Sequence, residues 1–216
     1  MKRFIHIVGL LLVLCVAAVF FMRYADSERG SNASFTNSPS EELLLVNADN
    51  PLPQDYRHEN LINLYDQKNK HFQLAKADIE VCEAVYQAMD AMFAAAQKDD
   101  VKGFIITSGY RSREEQKEVF STSADGISAK PGESEHETGL AFDVTAYGSE
   151  NFELTPQFQW LSKHCAEYGF IIRYPKDKED VTGVPFEPWH YRYVGTPHAK
   201  EIMDEGITLE EYLERQ

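Results

Sequence analysis

The sequence is short of positive charge: 21 lysines and arginines stand against 35 aspartates and glutamates, for a formal net charge of -14. A nucleic-acid partner needs a basic excess to displace phosphate counterions, so that class is excluded. A peptide, sugar or cationic substrate is compatible with the acidity, which selects none of them. Cysteine is scarce too, at three in 216 residues, and no recognisable metal or disulfide spacing joins Cys15, Cys82 and Cys165. Cys82 and Cys165 are able to pair if the chain is exported; buried free thiols are the alternative. No internal repeat is present. What remains is globular in composition, 43% apolar and 12% aromatic, enough for one domain with a sizeable core plus extra segments.

Long apolar runs are also rare. The one that exists, Phe4 to Met22, follows Lys2-Arg3 and is broken only by His6. A helix of that length spans about 28 Å, close to the hydrocarbon thickness of a bilayer. Basic residues ahead of it stay cytoplasmic and send the rest outside. Residues 1–25 are therefore expected to be a membrane anchor, with a cleaved signal segment as the alternative. Residues 26–41, polar and rich in Ser and Asn, read as a flexible linker. The folded domain is expected over 42–216, extracytoplasmic at the cell membrane.

Within that domain the patterning predicts a short strand at Leu43–Val46 and a helix from Asp78 to about Gln97, with Val81, Val85, Met89, Met92 and Ala96 facing the core. Gly103–Thr107 reads as a buried strand turning out through Ser108-Gly109-Tyr110-Arg111. Ser112 and Glu115 form a capping box that opens the next helix. Leu140, Phe142 and Val144 alternate with Gly139, Ala141, Asp143 and Thr145, so one strand face is core and the other is shallow around a carboxylate. Thr155-Pro156 starts a helix stopped at Gly169, and strands follow at Phe170–Tyr174 and His190–Val194. Thr196-Pro197 and Thr208-x-x-Glu211 open two short helices. Without regular βαβ spacing, the order favours an α+β fold, a small mainly antiparallel sheet with helices packed on it.

The chemistry concentrates in Ser134-Glu135-His136-Glu137-Thr138-Gly139-Leu140-Ala141-Phe142-Asp143 and Glu187-Pro188-Trp189-His190. An aspartate inside a strand is disfavoured and needs a partner when it faces inward. His136, Asp143 and His190 supply two imidazoles and a carboxylate, the three-ligand inventory of a hydrolytic zinc site, and Glu187 supplies a spare carboxylate to act as base. The spacing alone is also compatible with ordinary polar histidines. Arg111 offers a planar fork for a substrate carboxylate or an oxyanion, and Tyr110 beside it is placed to project into a site. Glu135 and Glu137 read as solvated flanks of His136. His58, His71, His164 and His198 lack partners in the sequence and read as ordinary.

Taken together, Ser134-x-His136-x6-Asp143, Glu187-x-Trp189-His190 and Ser108-Gly109-Tyr110-Arg111-Ser112 resemble the zinc D,D-carboxypeptidases of the VanY type, which stand with related L,D-carboxypeptidases and D,D-dipeptidases of peptidoglycan. The resemblance covers roughly residues 43–213. It implies Zn2+ held by His136, Asp143 and His190, with Glu187 as catalytic base and Arg111 contacting substrate or steadying the transition state. It also implies Ser134 and Gln116 holding the terminal D-alanine, and Trp189 walling the site. The implied substrate is the peptidoglycan stem pentapeptide, cut before its last D-alanine, with a possible part in glycopeptide resistance. The alternatives are L,D-cleavage of tetrapeptide stems, release of D-Ala-D-Ala, or a zinc-containing wall-binding module without catalysis.

Overall fold

The computed structural model of the chain describes residues 39–58, 60–68, 71–123 and 128–216. The expected anchor and most of the expected linker lie outside the described residues. Among the described residues, no helix is long and apolar enough to cross a membrane.

The domain is α+β. Its main sheet has five strands: β2 (Gln73–Leu74), β4 (Phe104–Ser108), β5 (Ala141–Ala146), β7 (His190–Tyr193) and β6 (Phe170–Ile172), in the spatial order β2-β4-β5-β7-β6. Only the β2–β4 pair is parallel; β4–β5, β5–β7 and β6–β7 are antiparallel. A second, two-stranded sheet pairs β1 (Leu61–Asn63) with β3 (Glu80–Cys82).

Helix α1 (Glu83–Lys98) packs Val85, Met89, Met92, Phe93 and Ala96 into the core. Phe93 is the hub there, with ring centroids 4.7 Å from Phe104 and 6.1 Å from Phe142. Each fully buried Val, Met or Phe among them contributes roughly 1.5–3 kcal/mol by leaving water. Helix α2 (Arg113–Thr122) starts at the Ser112/Glu115 capping box, in which both reciprocal hydrogen bonds form. Helix α3 (Pro156–His164) is capped by Thr155. Helices α4 (Thr196–Glu205) and α5 (Leu209–Leu213) close the chain, α5 again on a capping box, Thr208/Glu211. A second apolar cluster of Ile171, Val194, Ala199, Ile202, Leu209 and Tyr212 ties α4 and α5 to the β6–β7 end of the sheet. Cys82 and Cys165 are both free and buried.

Two expected elements differ. The helix expected from Asp78 begins only at Glu83, because Glu80–Cys82 pairs with β1 and that partner strand overrides the helical spacing of Val81. Val81 is nonetheless in the core. Leu43–Val46 is not a strand. There the Glu42 and Leu44 carbonyls accept hydrogen bonds from the Arg192 guanidinium, not from a neighbouring strand.

Candidate active site

Asp143 and His190 are register partners on the neighbouring strands β5 and β7. Directly opposite residues point to one face with Cβ atoms about 5 Å apart, and their side chains meet there. Asp143 Oδ1 lies 3.1 Å from His190 Nδ1. His136 comes from the short 3-10 turn Glu135–Thr138 that precedes β5, and its Nε2 lies 3.3 Å from Asp143 Oδ2. The two imidazoles stand edge to face at 4.9 Å. One ligand atom from each of His136, Asp143 and His190 falls within 4.8 Å of the others, the only such group among the described residues.

The donor chemistry suits a metal. His136 Nδ1 lies 2.7 Å from the Gly109 carbonyl, which can only accept. The carbonyl thus keeps a proton on Nδ1, and Nε2 is the nitrogen turned toward Asp143, the one whose lone pair the neutral ring would offer a metal. Burial pulls the His136 pKa below its ordinary value, favouring the neutral ligand form. Burial acts the same way on His190, but the hydrogen bonds its ring donates to Asp143 and Glu135 outweigh it and push that pKa up to about 9. For Asp143, burial is outweighed by His136 and His190, which hold its carboxyl well below the usual carboxylate range. The carboxylates that stabilise positive charge here would stabilise a bound cation equally.

Segment 108–111 locks this arrangement. A register shift between Ile106 and Ser108 breaks the β4–β5 ladder and turns the chain out into the site. Gly109 then holds the His136 ring while the Arg111 N–H donates to the His136 carbonyl at 3.1 Å. Gly109 is glycine for lack of room: a Cβ there would sit 2.2 Å from the Glu80 carbonyl oxygen. Gly109→Ala is accordingly expected to cost about 1–3 kcal/mol of stability and to weaken zinc binding by shifting the carbonyl that orients His136. Denaturant melts and zinc titration of the variant check both.

Glu187 reaches the site through a tight bend. The His190 N–H donates to the Glu187 carbonyl across Pro188-Trp189, and the Glu187 N–H donates to the Tyr174 carbonyl. Glu187 Oε2 comes within 3.9 Å of His190 Nδ1, and burial raises its carboxyl pKa. Arg111 Nη1 donates to Gln116 Oε1 at 2.8 Å, and Gln116 Nε2 donates to the Ala129 carbonyl at 2.7 Å. The Gln116 amide is thus engaged at both ends, and it is 1% exposed. Arg111 Nε, in contrast, is a buried donor with no partner in the protein. Ser134 is buried directly before the His136 turn. Tyr110 is half-buried beside Arg111, and Trp189 is exposed.

Three readings of the sequence need correction. Glu135 and Glu137 are not solvated. Glu137 receives the Arg113 guanidinium and the Gly132 N–H, while Glu135 is fully buried against Arg173 Nε at 2.6 Å and Arg192 Nη1 at 2.7 Å. Burial alone would raise the Glu135 pKa, but the two guanidiniums and His190 hold it well below the usual range. Gly139 does not open space above Asp143. It ends the 3-10 turn at a positive φ of 69°, and Leu61 and Cys82 occupy the place of its missing side chain. The histidines without partners in the sequence have them in the fold: His58 Nε2 lies 3.0 Å from Cys82 Sγ, His71 Nδ1 2.6 Å from Gln97 Oε1, His164 Nδ1 2.8 Å from Glu167 Oε1, and His198 Nδ1 2.7 Å from the Tyr212 hydroxyl. Arg173 and Arg192 were missed altogether. Their signal was available: an arginine inside apolar Phe170–Tyr174 or His190–Val194 cannot be buried without an anionic partner.

Two imidazoles and a carboxylate converging on one point, with a further carboxylate and a guanidinium whose Nε–H is unpartnered beside them, define a mononuclear zinc-hydrolase type of site. The family model "VanY: D-alanyl-D-alanine carboxypeptidase" matches residues 78–196. The chain belongs to that family. It is 35% identical over 174 residues to an Enterococcus faecium D-alanyl-D-alanine carboxypeptidase, covering 80% of this chain and 57% of that relative's length. Among solved structures, the LdcB LD-carboxypeptidase matches with a TM-score of 0.72 at 37% identity, covering 82% of this chain and 88% of that one. The vancomycin-resistance D,D-pentapeptidase VanY from a VanB-type cassette, solved in complex with Zn(II), matches at 0.66 and 38% identity, covering 80% and 99%. His136, Asp143 and His190 are the residues that would hold the corresponding zinc here.

Proposed function

We propose that the protein is a zinc D,D-carboxypeptidase that removes the C-terminal D-alanine from peptidoglycan stem pentapeptides. The observation that carries this reading is the Glu187–His190 bend, which sets a raised-pKa carboxylate beside the His136/Asp143/His190 group. A zinc ion in that group supplies Lewis-acid polarisation of the scissile carbonyl and acidifies water. Glu187 takes the proton of the attacking water and returns it to the leaving amine. Arg111 turns its free Nε–H to the substrate carboxylate or the developing oxyanion, held in place by Gln116. Ser134 and Tyr110 line the D-alanine end, and Trp189 forms the rim.

Likeness to the LdcB LD-carboxypeptidase favours a second reading, cleavage of tetrapeptide stems. Mass-spectrometric product analysis on pentapeptide, tetrapeptide and free D-Ala-D-Ala separates the two and detects dipeptidase activity. The expected result is loss of 1 D-alanine from the pentapeptide alone, abolished by a chelator and restored by zinc; the tetrapeptide as sole substrate would establish the second reading, and no hydrolysis of any substrate would leave a wall-binding module. We further propose that the Phe4–Met22 run places the domain outside the cytoplasmic membrane, where this substrate is found. A role in glycopeptide resistance would show as a rise in the inhibitory vancomycin concentration on expression in a susceptible host.

A further inference from the structure

Glu135 lies against the metal-ligand group yet has no part in the chemistry above. We propose that it is a positioning residue for zinc: it fixes the tautomer and ring plane of His190, and Arg173, Arg192 and Glu210 hold it in place. The inference rests on zinc occupying the His136/Asp143/His190 group.

His190 faces a carboxylate on each side, with Nδ1 3.1 Å from Asp143 Oδ1 and Nε2 3.3 Å from Glu135 Oε2. A neutral imidazole has one N–H, and Glu135 can only accept. Donation from Nε2 to Glu135 leaves the Nδ1 lone pair on the side of His136 and Asp143. That is the carboxylate–histidine–metal relationship by which an outer partner orients a ligand and raises its basicity. His136 reaches the same state through a neutral backbone carbonyl, so the two histidines offer opposite ring nitrogens, each set by what its other nitrogen touches.

Glu135 is itself clamped. Its Oε1 receives both Arg173 Nε and Arg192 Nη1, leaving Oε2 for His190. Glu210 on α5 holds Arg173 through both oxygens, at 2.9 and 2.6 Å, and receives Asn47 Nδ2 at 3.1 Å. Arg192 Nη2 is tied to the Glu42 and Leu44 carbonyls at 3.0 and 2.8 Å. Two guanidiniums are thereby balanced by two carboxylates, and the first and last segments of the domain reach a metal ligand through two links.

The test is zinc affinity by chelator competition on Glu135→Gln and Glu210→Gln, alongside thermal melts of the zinc-free proteins. In Glu135→Gln, an amide that keeps its oxygen toward the arginines turns its NH2 toward His190 Nε2. The ring proton is then driven to Nδ1, and zinc affinity is expected to fall about 10–100-fold. Glu210→Gln, one link further out, should weaken zinc by a smaller factor. In the zinc-loaded native protein, nitrogen-15 spectra of the imidazoles should show His190 protonated at Nε2, a readout that does not depend on any variant folding. Native zinc affinity in a folded Glu135→Gln, even with a lowered melting temperature, would reduce the cluster to a folding role and overturn the proposal. So would an unprotonated Nε2. Failure of the native protein to bind zinc would instead refute the site reading on which this one stands.

Discussion

A Glu187→Gln protein is expected to turn over about 10²–10⁴-fold more slowly than the native one while binding zinc as well. The amide keeps the shape of the side chain and its backbone bends, so the Glu187–His190 turn and the ligands behind it stay in place. It cannot take a proton from water, and that is the step removed. The pH profile adds a second readout. Burial raises the Glu187 carboxyl, so the acid limb of the native activity should lie above the ordinary glutamate value, with activity lost as pH falls through it. In the variant this limb should vanish from the residual rate. Substantial activity in Glu187→Gln, with the limb intact, would assign the base to another group.

The second large effect is expected at His136. In His136→Ala, zinc affinity should fall by well over the roughly 10–100-fold that losing an outer partner costs, and hydrolysis should fall with it. His136 lies 3.3 Å from Asp143, so its loss leaves Asp143 and His190 as a two-ligand remnant. The domain should still fold, because the main core around Phe93, Phe104 and Phe142 does not include the imidazole. Metal analysis after dialysis, with circular dichroism as a fold control, separates the two properties. Full zinc occupancy in the folded variant would remove His136 from the ligand set. The two variants should therefore fail differently, Glu187→Gln with metal and His136→Ala without it.

The sequence by itself singled out the His136/Asp143/His190 group that the fold brings together, the carboxylate beside it and most of the framework. Asp143 was legible because a lone carboxylate among Leu140, Phe142 and Val144 breaks a buried strand pattern, and all three of those neighbours are in the core. The two capping boxes were legible because a side chain bonding a backbone N–H three residues away is a local interaction. Tertiary structure decided what depends on contacts between distant segments. The strand Glu80–Cys82 exists because Leu61–Asn63 pairs with it. Glu135 is an internal anion because Arg173 and Arg192, 38 and 57 residues away, close on it. Which nitrogen of each histidine would face a metal likewise depends on distant groups, the Gly109 carbonyl at one ring and the Glu135 carboxylate at the other. A residue type and a spacing can announce a ligand, but its protonated atom is chosen by whichever group the fold brings to the far side of the ring.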